Sequence, residues 1–233
     1  FGNLEGVISD VDYNPDSPHS RVFRGPPQAV DQLKAAGFNI LNIANNHCVQ
    51  QGAEAIRDSV RILEGAGITV VGLREKPITH ISTNEGPIAV IACSLIPDNT
   101  DNEQQIYFAP SEQELIDTTR KASLDGTFTI VYLHWGKEST TEATPAQRQL
   151  AKALQNAGAR MIIGHHTHSL QPVIVHDDSL VAFSLGNFVF DLCWSYINRE
   201  STVLQVQVAD KKIQQVCRHK LWLDESGKPG IIK

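Results

Sequence analysis

Hydrophobic positions along the chain switch repeatedly between a helical and an extended period. In "PPQAVDQLKAAG" Val30 and Leu33 stand three apart, behind two prolines and ahead of Gly37, which predicts a short helix; the apolar run "FNILNIA" follows as a buried strand. In "GAEAIRDSVRILEGAG" Ile56, Val60 and Leu63 fall at i, i+4 and i+7, and "ITVVGL" follows as the next strand. A turn at "STNEG", a strand at "PIAVIACSL" and a polar loop through "PDNTDNEQQ" come next. Ser111 and Glu114 have capping-box spacing for a helix over "SEQELIDTTRKA", and "TFTIVYLHWG" has the β-branched and aromatic content of a strand. Thr144, Pro145 and Gln147 open another helix, with Leu150, Ala153, Leu154 and Ala157 as its apolar stripe and Gly158 as its stop. The strand "ARMIIG" runs from there into "GHHTHSLQ".

Towards the end the period becomes two. "LQPVIVHDDSLVAFSLGN" reads as a hairpin around Asp177 to Ser179, and "STVLQVQVADKKIQQVCRHKLWL" as another turning near Asp210 and Lys211. These patterns predict α/β layers with a β-rich end from about 170 to 233, and we read residues 1–233 as one domain. No repeat, linker or low-complexity segment interrupts them.

Length and charge narrow the function classes. A chain of 233 residues can bury a full α/β core. Its net charge of −6 comes without the basic stripe that a nucleic acid would require. No apolar stretch approaches the ~20 residues of a membrane span, so the chain as given is expected to be soluble. Cys48, Cys93, Cys193 and Cys217 show neither CxxC pairing nor scaffold density and read as buried or incidental thiols.

The chemistry collects where strands stop. "NILNIANNH" ends in Asn45, Asn46 and His47, "TIVYLHWG" in His134, and "RMIIGHHTH" in His165, His166 and His168. In open α/β sheets, sites form outside the carboxyl ends of strands, so three such ends could share a crevice. Imidazole nitrogen with carboxylate and amide oxygen suits Zn, Mn or Fe ions. If the strand continued through the cluster, His166 and His168 would share one face, with His165 on the other. His19, His80, His176 and His219 sit in turn or hairpin-like segments without such partners.

"GNLEG" at 2–6, "ANNH" at 44–47, "HWGKE" at 134–138, "GHHTHSLQ" at 164–171 and "SLGNFVFD" at 184–191 resemble, in order, the bacterial capsule-synthesis (CapA, poly-γ-glutamate) family. That family resembles a branch of the calcineurin-like metallophosphoesterases, which implies a four-layer α/β/β/α sandwich with up to two divalent ions at the strand ends. By the same resemblance Glu5 stands at the metal-bridging carboxylate and Asn46 at a metal ligand. His47 stands at the histidine that stabilises the transition state or protonates the leaving group. His134 and His166 then bind the second metal and His168 the first, while Trp135, Glu138, Asn187 and Asp191 shape the pocket. Arg199 is a candidate contact for an anionic substrate.

The resemblance implies metal-assisted hydrolysis of a phosphoester or a polyglutamate amide bond. Its alternative is an accessory protein that holds an anionic capsule polymer during synthesis or export, next to the capsule synthesis machinery. Either implies an extracytoplasmic or membrane-associated setting. Two departures stand out. The superfamily usually has an aspartate on a strand upstream of "NLE", so the fold is expected to lack its first strand. Gln50 stands where the family tends to carry Asp, which removes a carboxylate that could orient His47.

Overall fold

The computed structural model describes residues 1–100, 106–176, 178–191 and 195–232. Asp177 of the first expected hairpin turn, part of the polar loop at 101–105 and Cys193 lie outside the described residues. The chain divides into two compact units, Phe1–Thr79 with Ala92–Pro110, and His80–Ile91 with Ser111–Lys233.

The first unit is built on a parallel sheet of order β1-β4-β5, comprising β1 (Gly2–Asn3), β4 (Ile40–Asn42) and β5 (Thr69–Val71). A small parallel pair, β2 (Val7–Ile8) with β3 (Arg24–Gly25), lies beside helix α2 (Ala53–Gly65). Helix α1 (Ala29–Ala35) stops at Gly37, where the sequence places its end, and α2 stops before Gly67, which has positive φ. In α2, Ala55, Ile56, Ser59 and Leu63 are buried, and Ile56 and Leu63 join Leu41, Ile43, Ile68 and Val70 in one apolar cluster. Burying side chains of that size contributes roughly 1.5–3 kcal/mol each before chain entropy is counted. β1 to β3 have only two residues each, too short for periodicity to reveal.

The second unit is organised around a six-stranded sheet of order β10-β11-β9-β8-β7-β6. Its strands are β6 (Ile78–Ile81) and β7 (Ile88–Ser94), of which His80–Ile81 and Ile88–Ile91 fall in this unit, with β8 (Phe128–His134), β9 (Ala159–His165), β10 (Val173–His176) and β11 (Ser179–Ala182). β8, β9 and β11 run parallel, and β10 closes an antiparallel hairpin on β11. The parallel strands are buried almost throughout, which explains their continuous apolar runs. Helix α3 (Glu112–Ala122) contacts β8 and α4 (Pro145–Asn156) contacts β9. Ser111 accepts the Glu114 backbone N–H, and Thr144 forms a complete capping box with Gln147.

A second sheet follows, of order β12-β13-β14, with β12 (Glu200–Ala209), β13 (Lys212–Leu223) and β14 (Pro229–Ile231). The β12–β13 turn is made by Asp210 and Lys211, both with positive φ (52° and 59°), as a two-residue type I′ hairpin demands. Among the described residues Cys48, Cys93 and Cys217 are free thiols. No helix among the described residues is long and apolar enough to cross a membrane.

Candidate functional site

In the first unit the parallel register fixes the surroundings of Glu5. β1 pairs with β4 so that Asn3 lies opposite Asn42, and Asn42 Nδ2 donates to Asn3 Oδ1 at 2.9 Å. Asn3 Nδ2 in turn donates to Glu5 Oε2 at 3.2 Å. Two asparagines thus hold the carboxylate. Past the end of β4, Asn45 is fully buried; its amide donates to Leu4 O and Ile43 O, and its oxygen receives the His47 backbone N–H. Asn45 therefore shapes the turn that presents Asn46 and His47.

His47 is enclosed on several sides. Phe23 stacks on its ring with centroids 3.5 Å apart, and Phe23 itself is held at φ 52°. That conformation costs a bulky residue on the order of 1–3 kcal/mol and persists only where its surroundings enforce it. His47 Nδ1 lies 2.6 Å from Gln50 Oε1, and Nε2 lies 3.9 Å from Glu5 Oε1. The Asn99 amide sits 3.3 Å from both ring nitrogens, and the Asn99 backbone N–H donates to Asn46 O. Gln50 thus orients the ring through its amide oxygen. What the substitution removes is the negative charge that would stabilise an imidazolium, not the orientation.

In the second unit β8 and β9 pair in parallel with His134 opposite His165. The strand ends there, and His166 and His168 adopt φ of 88° and 55°. The expected extended His-x-His geometry is therefore not what brings the cluster together. A left-handed turn does so, folding the His166 ring back onto His134, with His166 Nδ1 3.1 Å from His134 Nε2. His134 is fully buried, and His166 and His168 are nearly so. The His166 and His168 rings are 6.4 Å apart by centroid.

The loop carrying the cluster is tied down by buried polar groups. Ser139 N donates to Thr167 O, Ser169 Oγ to Thr140 O, and Gln171 Nε2 to the carbonyls of Thr140 and Glu142. The "HWGKE" and "GHHTHSLQ" loops are thereby laced together. Gly164 lets them approach: a Cβ there would lie 1.9 Å from Phe183 O and 2.3 Å from Trp135 Nε1. Trp135 is buried, donates Nε1 to Phe183 O at 3.0 Å and stacks on the Phe183 ring, so its task is packing.

The remaining predicted residues separate. His165 stacks on Tyr132, and its Nε2 is buried without a hydrogen-bond partner among the described residues. Burial, with a smaller contribution from His168, pushes its pKa down to about 3, so it is a neutral spare. Asn187 lies against His168, with its Oδ1 2.9 Å from His168 Nδ1. Glu138 and Asp191 are exposed. Arg199 donates Nε to Leu223 O at 2.7 Å and lies over the Trp222 ring, fastening the β-rich end of its unit. Sequence reasoning missed Asn3, Asn42, Asn99 and Asn198, because each acts through a pairing that the linear order hides.

Among the described residues no three or more His, Cys, Asp and Glu side chains are grouped so that together they could hold a metal ion. The His134–His166 pair nevertheless suits a metal. Two nitrogens on one tetrahedral ion, with bonds of about 2.05 Å, stand roughly 3.3 Å apart, close to the 3.1 Å observed. The donors are imidazoles, which favour Zn, Mn or Fe.

Comparison with known proteins defines the class first. The sulfate thiohydrolase SoxB of Thermus thermophilus, solved in complex with glycerol, superposes with a TM-score of 0.56 at 14% identity, over 91% of this chain and 37% of SoxB. The fold is mixed α/β of metallophosphoesterase type. The sequence profile described as "Bacterial capsule synthesis protein PGA_cap" matches residues 1–192, and the chain belongs to that family. It is 31% identical over 195 residues to the capsule biosynthesis protein CapA of Bacillus anthracis, covering 78% of this chain and 47% of the relative. It is 30% identical over 187 residues to the PGA biosynthesis protein CapA of Bacillus subtilis strain 168, covering 76% and 49%. A "probable polyglutamine synthesis accessory protein" of Mycobacterium tuberculosis is 25% identical over 210 residues, covering 81% and 54%. The chain thus spans about half the length of the curated relatives it matches.

Proposed function

We propose that this chain carries a metal-dependent hydrolase site that serves the synthesis or export of a polyglutamate-type capsule. The observation that carries the reading is the buried His134–His166 pair, with nitrogens 3.1 Å apart at the ends of two paired parallel strands. Family membership and the names of the relatives support the capsule setting.

In this proposal His134 and His166 bind one divalent Mn, Zn or Fe ion and His168 is a ligand for another; within the first unit, Glu5 and Asn46 are the candidate oxygen donors. Such an ion lowers the pKa of a bound water and polarises a phosphoryl or carbonyl oxygen. The chain's own residues supply the rest. Buried packing and the Gln171 and Ser169 hydrogen bonds hold the imidazoles still, which limits the reorganisation that binding costs. His47, with Nδ1 fixed by Gln50, presents Nε2 as the atom that gives or takes a proton. The substrate is a phosphoester or the amide bond of a polyglutamate chain.

The test is turnover of p-nitrophenyl phosphate and of poly-γ-glutamate by protein reconstituted with Mn²⁺ or Zn²⁺, with His134→Ala as control. Hydrolysis of either substrate that His134→Ala abolishes supports the reading. Polyglutamate binding that survives chelation, with no turnover of either substrate, overturns it in favour of a non-catalytic accessory role.

A further inference from the structure

The network around His168 fixes which of its nitrogens carries the proton, and this assigns Asn187 a task different from contacting substrate. His168 sits in the left-handed region at φ 55°, nearly buried, with Phe190 against its ring at 4.8 Å. Its backbone carbonyl receives Asn198 Nδ2 at 3.0 Å and Asn187 Nδ2 at 3.4 Å. Asn187 Nδ2 also donates to Asn198 O at 3.1 Å. Both N–H bonds of the Asn187 amide are thus directed at carbonyl oxygens, which can only accept. The amide cannot be turned over without facing its oxygen to those carbonyls, so its Oδ1 must face His168 Nδ1, 2.9 Å away. An amide oxygen opposite a ring nitrogen makes a hydrogen bond only if that nitrogen bears a proton.

We infer that Asn187 is a positioning residue that locks neutral His168 as its Nδ1–H tautomer and leaves the Nε2 lone pair as the only ring donor. With both N–H bonds engaged and the side chain buried, Asn187 has no donor left for substrate. Its location is enforced one residue earlier. Gly186 has φ 72°, and a Cβ there would lie 2.7 Å from Glu200 O, so the turn offers no other seat. Partners of this kind, hydrogen-bonded to the far nitrogen of a ligating histidine, fix its ring orientation, and losing one typically lowers metal affinity 10–100-fold. The consequence for affinity rests on the metal-site reading above; the tautomer does not.

The test uses histidine-¹⁵N-labelled protein, metal-free at pH 8, with long-range ¹H–¹⁵N correlation to read each ring's tautomer and zinc titration to read affinity. Wild type and Asn187→Asp, which keeps the acceptor, are expected to show His168 protonated at Nδ1. Asn187→Leu is expected to lose that signature and to bind zinc 10–100-fold more weakly. A wild-type His168 protonated at Nε2 overturns the inference, as does an Asn187→Leu protein with unchanged tautomer and affinity. The stated tautomer with no zinc bound by wild type supports the role of Asn187 while overturning the metal-site reading.

Discussion

His134 Nε2 and His166 Nδ1 face each other at 3.1 Å, although 32 residues separate them in the chain. Two features bring them together: a parallel β8–β9 register that sets His134 opposite His165, and a left-handed turn at His166 that the register alone would not provide. The pair is therefore sensitive to whatever holds that turn.

Gly164 is the first such support. Gly164→Ala is expected to destabilise the protein by about 1–3 kcal/mol, because the new methyl would lie 1.9 Å from Phe183 O and 2.3 Å from Trp135 Nε1, well inside van der Waals distance, so that one of them must move. Trp135→Phe should cost about 1–3 kcal/mol by leaving the Phe183 carbonyl buried and unsatisfied. Urea unfolding of both variants checks this, and wild-type midpoints would sink the packing account.

His47 is predicted to depend on Gln50. Gln50→Leu removes the acceptor of Nδ1 and should reduce turnover of the metal-loaded protein about tenfold, in the range seen for lost orienting partners. Gln50→Glu restores an acceptor and adds charge, so its activity should be at least that of the natural chain. Equal loss in both variants would show that the amide does not act by orienting the ring.

The pH dependence of stability has a definite sign. Folding pushes the His165 pKa from 6.5 down to about 3, so between those values the unfolded chain holds a proton that the folded chain refuses. Stability is fully present above about pH 6.5 and falls as the pH drops, by at most about 1.4 kcal/mol per pH unit from this group. Urea midpoints of metal-free protein at pH 7 and pH 5 should differ more for wild type than for His165→Gln. The same difference in both would exclude His165 as the cause.

The β12–β13 hairpin offers a gain. Asp210 and Lys211 each pay for positive φ, and Asn-Gly suits both positions of a type I′ turn. Asp210→Asn with Lys211→Gly should raise stability by about 0.5–1 kcal/mol if the turn is as observed, and a lowered melting temperature would argue against it.

What the sequence disclosed was local. The α4 capping box, the end of α1 at Gly37 and the Asp210–Lys211 turn each depend on residues within a few positions of one another, and all were readable. The histidines could be picked out because strand ends concentrate chemistry, but the reason given for their grouping, an extended His166–His168 pair, was replaced by backbone turns. Asn42 reaches Asn3 across 39 residues and Asn198 reaches His168 across 30, and no periodicity in either segment signals the other. Gln50 looked like a loss when read against the family and turned out to keep the ring's partner.

The central claim is that the histidine cluster of the second unit holds a divalent ion, and equilibrium dialysis against Zn²⁺ or Mn²⁺ with elemental analysis tests it most directly. The account predicts at least one ion per natural chain, lost in His134→Ala and in His166→Ala and retained in His176→Ala, whose histidine lies on β10 outside the cluster. A natural chain that binds no ion, or a His134→Ala protein that binds as much as the natural one, would contradict it.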